Sequence, residues 1–157
     1  MALCKTLSYA AEGAIPDAVA AAGNETVALT VHAEGAQVYD CKPGDGGRLA
    51  WQFREPIATL MESGKTVGRH FAGPTWEHVD GSRVTAKPVG KSAGASARDI
   101  PWLKLEVVEA HGAGTLAGVT AIQRVRTRGG QLEGGCDLAG ATQSAPYAAD
   151  YVFLKKK

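Results

Sequence analysis

Apolar and polar residues alternate along most of the chain after residue 24, which is the period of β-strands with one buried face. In the stretch that begins at Trp102, the apolar residues Leu103, Leu105 and Val107 fall on one face, and we expect that face to be buried. About nine short strands follow from this pattern, without an internal repeat. The alternation predicts an all-β protein, an antiparallel sandwich or barrel.

Turn residues separate the predicted strands. Glu-Gly at 34–35, Ser-Gly at 63–64 and Asp-Gly at 80–81 each lie between two alternating stretches, and Asp-Gly is the strongest hairpin signal of the three. Gly-Pro at 73–74 is expected to break or bend a strand. We therefore predict a hairpin over residues 75–87, with two residues in its turn.

One short helix is predicted ahead of the strands, in the alanine-rich residues 15–23, where a proline suits the first turn and a glycine the end. A chain of 157 residues favours a single domain. We expect a flexible N-terminal segment over residues 1–14, a β domain over 15–154 and a solvated basic tail over 155–157.

Composition limits the partners. Lysine and arginine number 17 against 16 aspartates and glutamates, so no charge excess indicates nucleic acid or an anionic membrane. The sequence contains no apolar run of about 18 residues, and we expect no membrane span. The opening letters MALCKTLSYAAEGAIP lack the apolar core of a secretory signal, which fits a cytosolic start or the start of a mature or engineered chain.

Three cysteines bear on the compartment. Cys41 and Cys136 each stand at a strand end beside turn residues, where a disulfide would be a useful staple in an oxidising compartment. Two unrelated free thiols fit their spacing equally well. Cys4 is left over, and we expect it to be free in a disordered segment.

The densest chemistry lies between residues 68 and 84. His70, Glu77, His78 and Asp80 carry atoms that bind zinc or copper. The same residues can instead be polar side chains on the outer faces of two strands. A two-residue turn would place an arginine opposite His78, and its positive charge would disfavour a metal cation there. We therefore predict no metal site, and keep His70 and His78 as weak candidates for one.

Signatures of catalysis and of cofactors are missing. The sequence has no H-E-x-x-H, no G-x-S-x-G and no glycine-rich loop that opens a helix after a strand. Nominal carboxylate pairs fall on opposite strand faces, so paired-acid chemistry is disfavoured. The sequence favours a protein without enzymatic activity or cofactor, although triads are recognised by geometry rather than by sequence.

Aromatic residues supply the remaining candidate site. Trp51 and Phe53 are expected to pack in the core. Trp76 and Trp102 are the better candidates for a binding surface, since tryptophans on sheet faces stack on sugars and on flat apolar molecules. We predict that Trp76 and His78 share a face that lines any cleft. The predicted ligand-binding residues are Trp76, His78, Trp102 and His70.

Seven stretches, taken together and in order, resemble the domain-of-unknown-function family 3455, a group of bacterial and fungal secreted proteins. The resemblance runs from Ile15 to Phe153 and is carried by VYDCK, WQFREPIATL, GRHFAGPTWEHVDGSRV, IPWLKLEV, GVTAIQRVRTRGG, GCD and PYAADYVF. It implies secretion or a periplasmic location, and pairing of Cys41 with Cys136. The resemblance implies no activity, cofactor or catalytic residue. The secretory signal expected of such a protein is not found at the start of the chain.

The sequence thus predicts a secreted or envelope-associated binding protein without catalytic activity. Its partner would be a small molecule or a glycan, recognised through aromatic residues. A small enzyme or a metal-binding protein that uses residues 70–80 is the alternative. The pattern leaves the ligand, the oligomeric state and the biological process open.

Overall fold

A computed structural model describes residues 14–157. The predicted flexible segment, except for its last residue, and the predicted free Cys4 lie outside the described residues. Eight antiparallel strands make up the fold, which confirms the all-β class. They are β1 (Glu25–Pro43), β2 (Leu49–Glu62), β3 (Lys65–Phe71), β4 (Thr75–His78), β5 (Arg83–Ser92), β6 (Trp102–His111), β7 (Val119–Gly129) and β8 (Thr142–Lys156).

The strands follow one another around a closed barrel. Each strand pairs with the next along the chain, and β8 pairs with β1, so the sheet has no open side. The pairing continues to Lys156, which lies opposite Glu25, so two of the three residues predicted as a solvated tail belong to β8. Among residues 14–157, no helix is long and apolar enough to cross a membrane.

The predicted turn at 34–35 lies inside a single strand. β1 runs unbroken through Gly35, which pairs with both neighbouring strands. A Cβ at this position would come within 2.0 Å of the carbonyl oxygen of Ile57. Glycine is needed here for the close approach of two backbones rather than for a turn. This glycine is one reason why the chain has eight strands instead of nine.

β2 also joins two predicted strands. It continues through Pro56, which pairs with Gln37 on β1. Two residues earlier, a bulge leaves Arg54 without a partner on β1. Bulges are among the places where a sheet accepts proline, because the regular ladder of hydrogen bonds is already interrupted there. Proline therefore marks a local irregularity in β2 and not its end.

The hairpin at 75–87 is confirmed, with a different register. Trp76 pairs with Val84 and Glu77 with Arg83, one position away from the predicted pairing. The turn is longer than two residues, and the His78 amide donates to the carbonyl of Ser82 at 2.9 Å. Three residues, 79–81, lie between the bonded positions His78 and Ser82, and this odd number accounts for the shift in register.

The predicted N-terminal helix is reduced to one 3₁₀ turn, Asp17–Val19. An isolated helix of about nine residues is marginal even when rich in alanine, and Ala20 already has an extended backbone. The segment packs across the outside of the barrel instead. It passes so close to β5 that a Cβ on Gly90 would lie 2.2 Å from the carbonyl oxygen of Ala18.

Apolar residues are divided between the inside and the outside of the barrel. The larger cluster fills the inside and includes Trp76, Leu105, Tyr151 and Phe153. A smaller cluster covers the outer faces of β7 and β8, and Trp102 packs against it together with Ile15. The alternation predicted for β6 is therefore confirmed, since Leu105 is buried inside while Trp102 faces outwards.

Cys41 and Cys136 form a disulfide, as the family resemblance implied. Their Cα atoms lie 5.9 Å apart and are separated by 95 positions in the sequence. The bond ties the loop between β7 and β8 to the end of β1. Two backbone hydrogen bonds hold the same loop to β2, from Trp51 to Gly134 at 3.1 Å and from Cys136 to Leu49 at 3.2 Å.

Candidate functional site

A cavity of about 270 Å³ penetrates the barrel beside Trp76, and we call it the inner cavity. Most of its wall is apolar, which is usual for small-molecule sites. The residues that line it are Gln37, Phe53, Arg54, Pro56, His70, Ala72, Gly73, Pro74, Trp76, Pro88, Leu103, Leu105, Arg124 and Tyr151. Its volume is close to the lower end of the range of about 300–1,000 Å³ found for such sites.

A second hollow of about 520 Å³, the outer cavity, adjoins the first. The two share the wall residues Gln37, Phe53, Pro88, Leu103 and Arg124. Trp51 and Tyr39 line the outer cavity, together with residues 131–134 of the disulfide-anchored loop. We call these two adjoining cavities together the barrel mouth.

Three aromatic rings meet at the inner cavity. His70 and Trp76 are stacked, with ring centroids 4.3 Å apart and planes 16° from parallel. Tyr151 packs against both, 5.0 Å from the His70 ring and 5.4 Å from the Trp76 ring. All three rings are buried, and together they form the aromatic part of the wall of the inner cavity.

His70 is held in its neutral form. Burial lowers the pKa of its imidazole to about 3, and the charge of Arg124 also lowers it. Its Nδ1 lies 2.8 Å from the backbone oxygen of Thr75. Because a carbonyl oxygen only accepts, Nδ1 carries the proton and Nε2 keeps a lone pair. The histidine therefore contributes a neutral stacked ring with one acceptor nitrogen.

Arg124 lies where the two cavities meet. Its Nε and Nη2 donate to the carbonyl oxygen of Pro101 at 2.9 and 2.8 Å. Over residues 14–157, no aspartate or glutamate lies within ion-pair distance of its guanidinium. Burial raises the pKa of the Tyr151 hydroxyl, and a hydrogen bond and the charge of Arg124 oppose that rise.

Two other polar groups of the inner cavity have no partner within the described chain. The indole Nε1 of Trp76 and the amide Nε2 of Gln37 are both buried and donate no hydrogen bond within the described chain. Both atoms are N–H donors. A buried donor without a partner costs about 1–3 kcal/mol. Both unpaired donors belong to side chains that line the inner cavity.

The predicted site residues are divided among three places. Trp76 and His70 line the inner cavity together. His78 lines a separate shallow hollow with Arg69 and Glu77, and its Nδ1 accepts from the Asp80 amide at 3.2 Å. Trp102 faces the outside of the barrel. Trp76, His78 and Trp102 thus share no cleft, because β4 ends at His78 and the two ends of this short strand lie beside different hollows.

Of the candidate metal ligands, His78 and Asp80 lie together, with Nδ1 3.1 Å from Oδ2, while His70 lines the inner cavity. No group of three histidine, cysteine, aspartate or glutamate side chains is placed to hold a metal ion anywhere in residues 14–157. His70 is enclosed by rings and a backbone carbonyl, while Asp80 accepts hydrogen bonds from the amides of Ser82 and Thr115 at 2.9 and 2.7 Å. These contacts give both residues structural roles in the folded chain.

Sequence reasoning missed several residues of the barrel mouth. Phe53, predicted to pack in the core, is 55% exposed at the rim of the inner cavity. Arg124 and Gln37 face inwards at alternating positions of strands that are otherwise apolar inside. A charged or amide side chain on the buried face of a strand could have indicated these two site residues. Bulges in β1, β2 and β7 shift the alternation, so the buried face could not be followed along the sequence.

Comparison with known families places the whole barrel in one group. The family model DUF3455, described as a protein of unknown function, matches residues 21–155. The chain belongs to this family. No curated protein and no solved structure matches the chain. All residues that line the two cavities of this DUF3455 barrel lie within the matched span, so the barrel mouth is part of the family's domain.

Proposed function

We propose that this protein binds a small, partly apolar molecule at the barrel mouth and acts without catalysis outside the cytosol or in the cell envelope. The observation that carries the proposal is the inner cavity, where stacked aromatic rings lie beside buried N–H donors that have no partner. Eight-stranded barrels are just wide enough to hold one small ligand when side chains do not fill them.

The wall favours a flat apolar body over a sugar. Trp76, His70 and Tyr151 offer ring surfaces inside, and Phe53 offers one at the rim. The unpaired donors favour a ligand that also carries hydrogen-bond acceptors. Together they support an aromatic or fused-ring compound with a polar end.

The disulfide supports the proposed compartment. Structural disulfides persist in oxidising environments such as the periplasm and the extracellular space. The Cys41–Cys136 bond anchors the loop that forms one wall of the outer cavity, so the proposed binding site depends on it. The proposed function and the proposed location are therefore linked by the same covalent bond.

A titration with 2-naphthamide, an uncharged two-ring probe, tests the proposal. We expect saturable binding by calorimetry, and we expect Phe53→Ala to weaken it about tenfold through the lost ring contact. Val108→Ala is the matched control, because Val108 is 56% exposed, against 55% for Phe53, and lies outside the two cavities. Equal effects of the two substitutions, or no binding at all, would refute a site at the barrel mouth.

A further inference from the structure

We infer that the ligand of the barrel mouth is an anion, an aromatic or fused-ring carboxylate whose carboxylate group is received by Arg124. This inference rests on the proposed function, since it names the chemical class of the molecule bound at the same site. It follows from the charge of the wall, from the free part of the Arg124 guanidinium and from the donors that surround it.

The wall of the inner cavity carries two arginines and no acid. Arg54, at the rim, is already compensated, with Asp40 at 3.6 Å and Glu55 at 3.4 Å. Arg124 has no such partner within the described chain, although it lies between β6 and β8 inside the barrel. A partly buried cation without a counter-ion is costly, and a bound anion would remove that cost.

The guanidinium presents a free recognition edge. The bonds to Pro101 occupy the edge formed by Nε and Nη2, and they fix the orientation of the planar group. Nη1 takes no part in these bonds, so we expect the end of the fork, formed by Nη1 and Nη2, to receive the carboxylate beside the neighbouring Tyr151 hydroxyl. This pair of parallel N–H donors matches the two oxygens of a carboxylate.

The groups around Arg124 also favour a negatively charged ligand. His70 is neutral, and Tyr151 keeps its proton because burial raises its pKa, so neither adds a negative charge beside Arg124. Gln37 and Trp76, whose buried N–H groups have no partner in the described chain, line the same cavity and add no negative charge to it. The one acid at the barrel mouth is Glu133, which lines only the outer cavity, is exposed and accepts from the Gln131 amide at 2.9 Å.

The position of Arg124 also orients the ligand. Because Arg124 lines both cavities, a carboxylate bound to it would lie at their junction. The apolar body then extends into the inner cavity, against the stacked rings of Trp76 and His70. Phe53 covers the junction from the rim, where both cavities touch its side chain.

Comparison of 2-naphthoate with 2-naphthamide tests the inference, because the two probes share a ring system and differ in charge. Near neutral pH, we expect the wild-type protein to bind the carboxylate about tenfold or more tightly than the amide. Arg124→Gln should abolish that preference while the amide still binds. Arg124→Lys should restore only part of it, because lysine keeps the charge and loses the fork.

Arg126→Gln is the matched control for these variants. Arg126 lies two residues away on β7, is exposed and pairs with Asp150 at 2.7 Å, so its loss should leave the preference unchanged. Equal affinity of the wild-type protein for both probes, with binding still sensitive to Phe53→Ala, would overturn the anion inference and leave the proposed function standing. Binding of neither probe would overturn both. The wild-type ratio decides the matter even if Arg124→Gln does not fold.

Discussion

Trp76 is at once a core residue and a wall of the inner cavity. It is 1% exposed, packs against His70 and Tyr151, and keeps an unpaired indole N–H. From the sequence alone, core packing and ligand binding are alternatives for a tryptophan on a β-strand. The structure combines them, because a barrel interior that is not fully packed lets one ring face both the core and an opening.

Trp76→Ala should therefore destabilise the fold by about 3–5 kcal/mol, the usual cost of removing a large buried aromatic side chain. Urea denaturation followed by circular dichroism measures this change. Trp102→Ala serves as the comparison and should cost less, since Trp102 is only partly buried on the outer face. Similar losses for both variants would show that the two rings are equally important for the core.

His70 makes the stability depend on pH. Its folded pKa of about 3 lies below the unfolded value of 6.5, so the unfolded chain takes up a proton that the folded chain does not. As the pH falls from 6.5 toward about 5, the free energy of unfolding should fall by about 1 kcal/mol per pH unit. His70→Gln, which cannot titrate, should remove this slope.

His32 acts with the opposite sign and in a different range. A hydrogen bond from its ring to Asp150, with a second to Glu34, raises its pKa above 6.5. Its stabilising contribution is complete below pH 6.5 and is lost as the pH rises through the folded value. Denaturation curves should therefore show maximal stability near pH 6.5. If the His70→Gln protein still loses stability as the pH falls from 6.5 toward about 5, the assignment of that loss to His70 is wrong.

Single residues also show where sequence reasoning stops. The inward position of Arg124 depends on the register of β7, and β7 contains a bulge between residues 125 and 128. Alternation alone loses the distinction between inside and outside at each bulge, since one extra residue reverses the faces. The stacking of His70 on Trp76 could not be predicted from the sequence either, because it depends on the register in which β3 pairs with β4.

At the scale of elements, strand positions were predictable where alternation met a genuine turn. Ser-Gly at 63–64 and the Asp-Gly loop at 80–81 separate strands as expected, and Gly64 and Gly81 have positive φ angles of 77° and 90°. Gly35 was misinterpreted because glycine serves close backbone approach as well as turns. The two uses have the same sequence signal, so only the neighbouring strand distinguishes them.

The loop from residue 130 to 141 depends on its disulfide. Replacing Cys41 and Cys136 together with serine should lower the free energy of unfolding by about 4–5 kcal/mol, because the bond closes a loop of about 95 residues in the unfolded chain. Denaturation in urea measures the change. A reductant should destabilise the wild-type protein and leave the double variant unaffected. If the reductant lowered the free energy of unfolding equally in the wild-type protein and the double variant, its effect would not come from the disulfide.

The closed barrel explains, at the scale of the whole molecule, why one end can bind. Each of the eight strands pairs with two neighbours, so the interior can contain a cavity although the sheet has no edge strand. The inner cluster fills part of the interior, and the barrel mouth is lined by Gln37 and Trp76, two residues with buried unpaired polar atoms. All-β class could be predicted from alternation and turns, whereas closure depends on the pairing of β1 with β8, the two most distant strands in the sequence.

The most direct measurement follows the three indole N–H signals by NMR while 2-naphthoate is added. Trp76 lines the inner cavity, Trp51 lines the outer cavity and Trp102 lies on the outer face, so the three rings report on three places. Binding at the barrel mouth predicts a large shift for Trp76, whose N–H has no partner in the described chain, a smaller shift for Trp51 and none for Trp102. A shift confined to Trp102, or three signals that never move, would contradict the account.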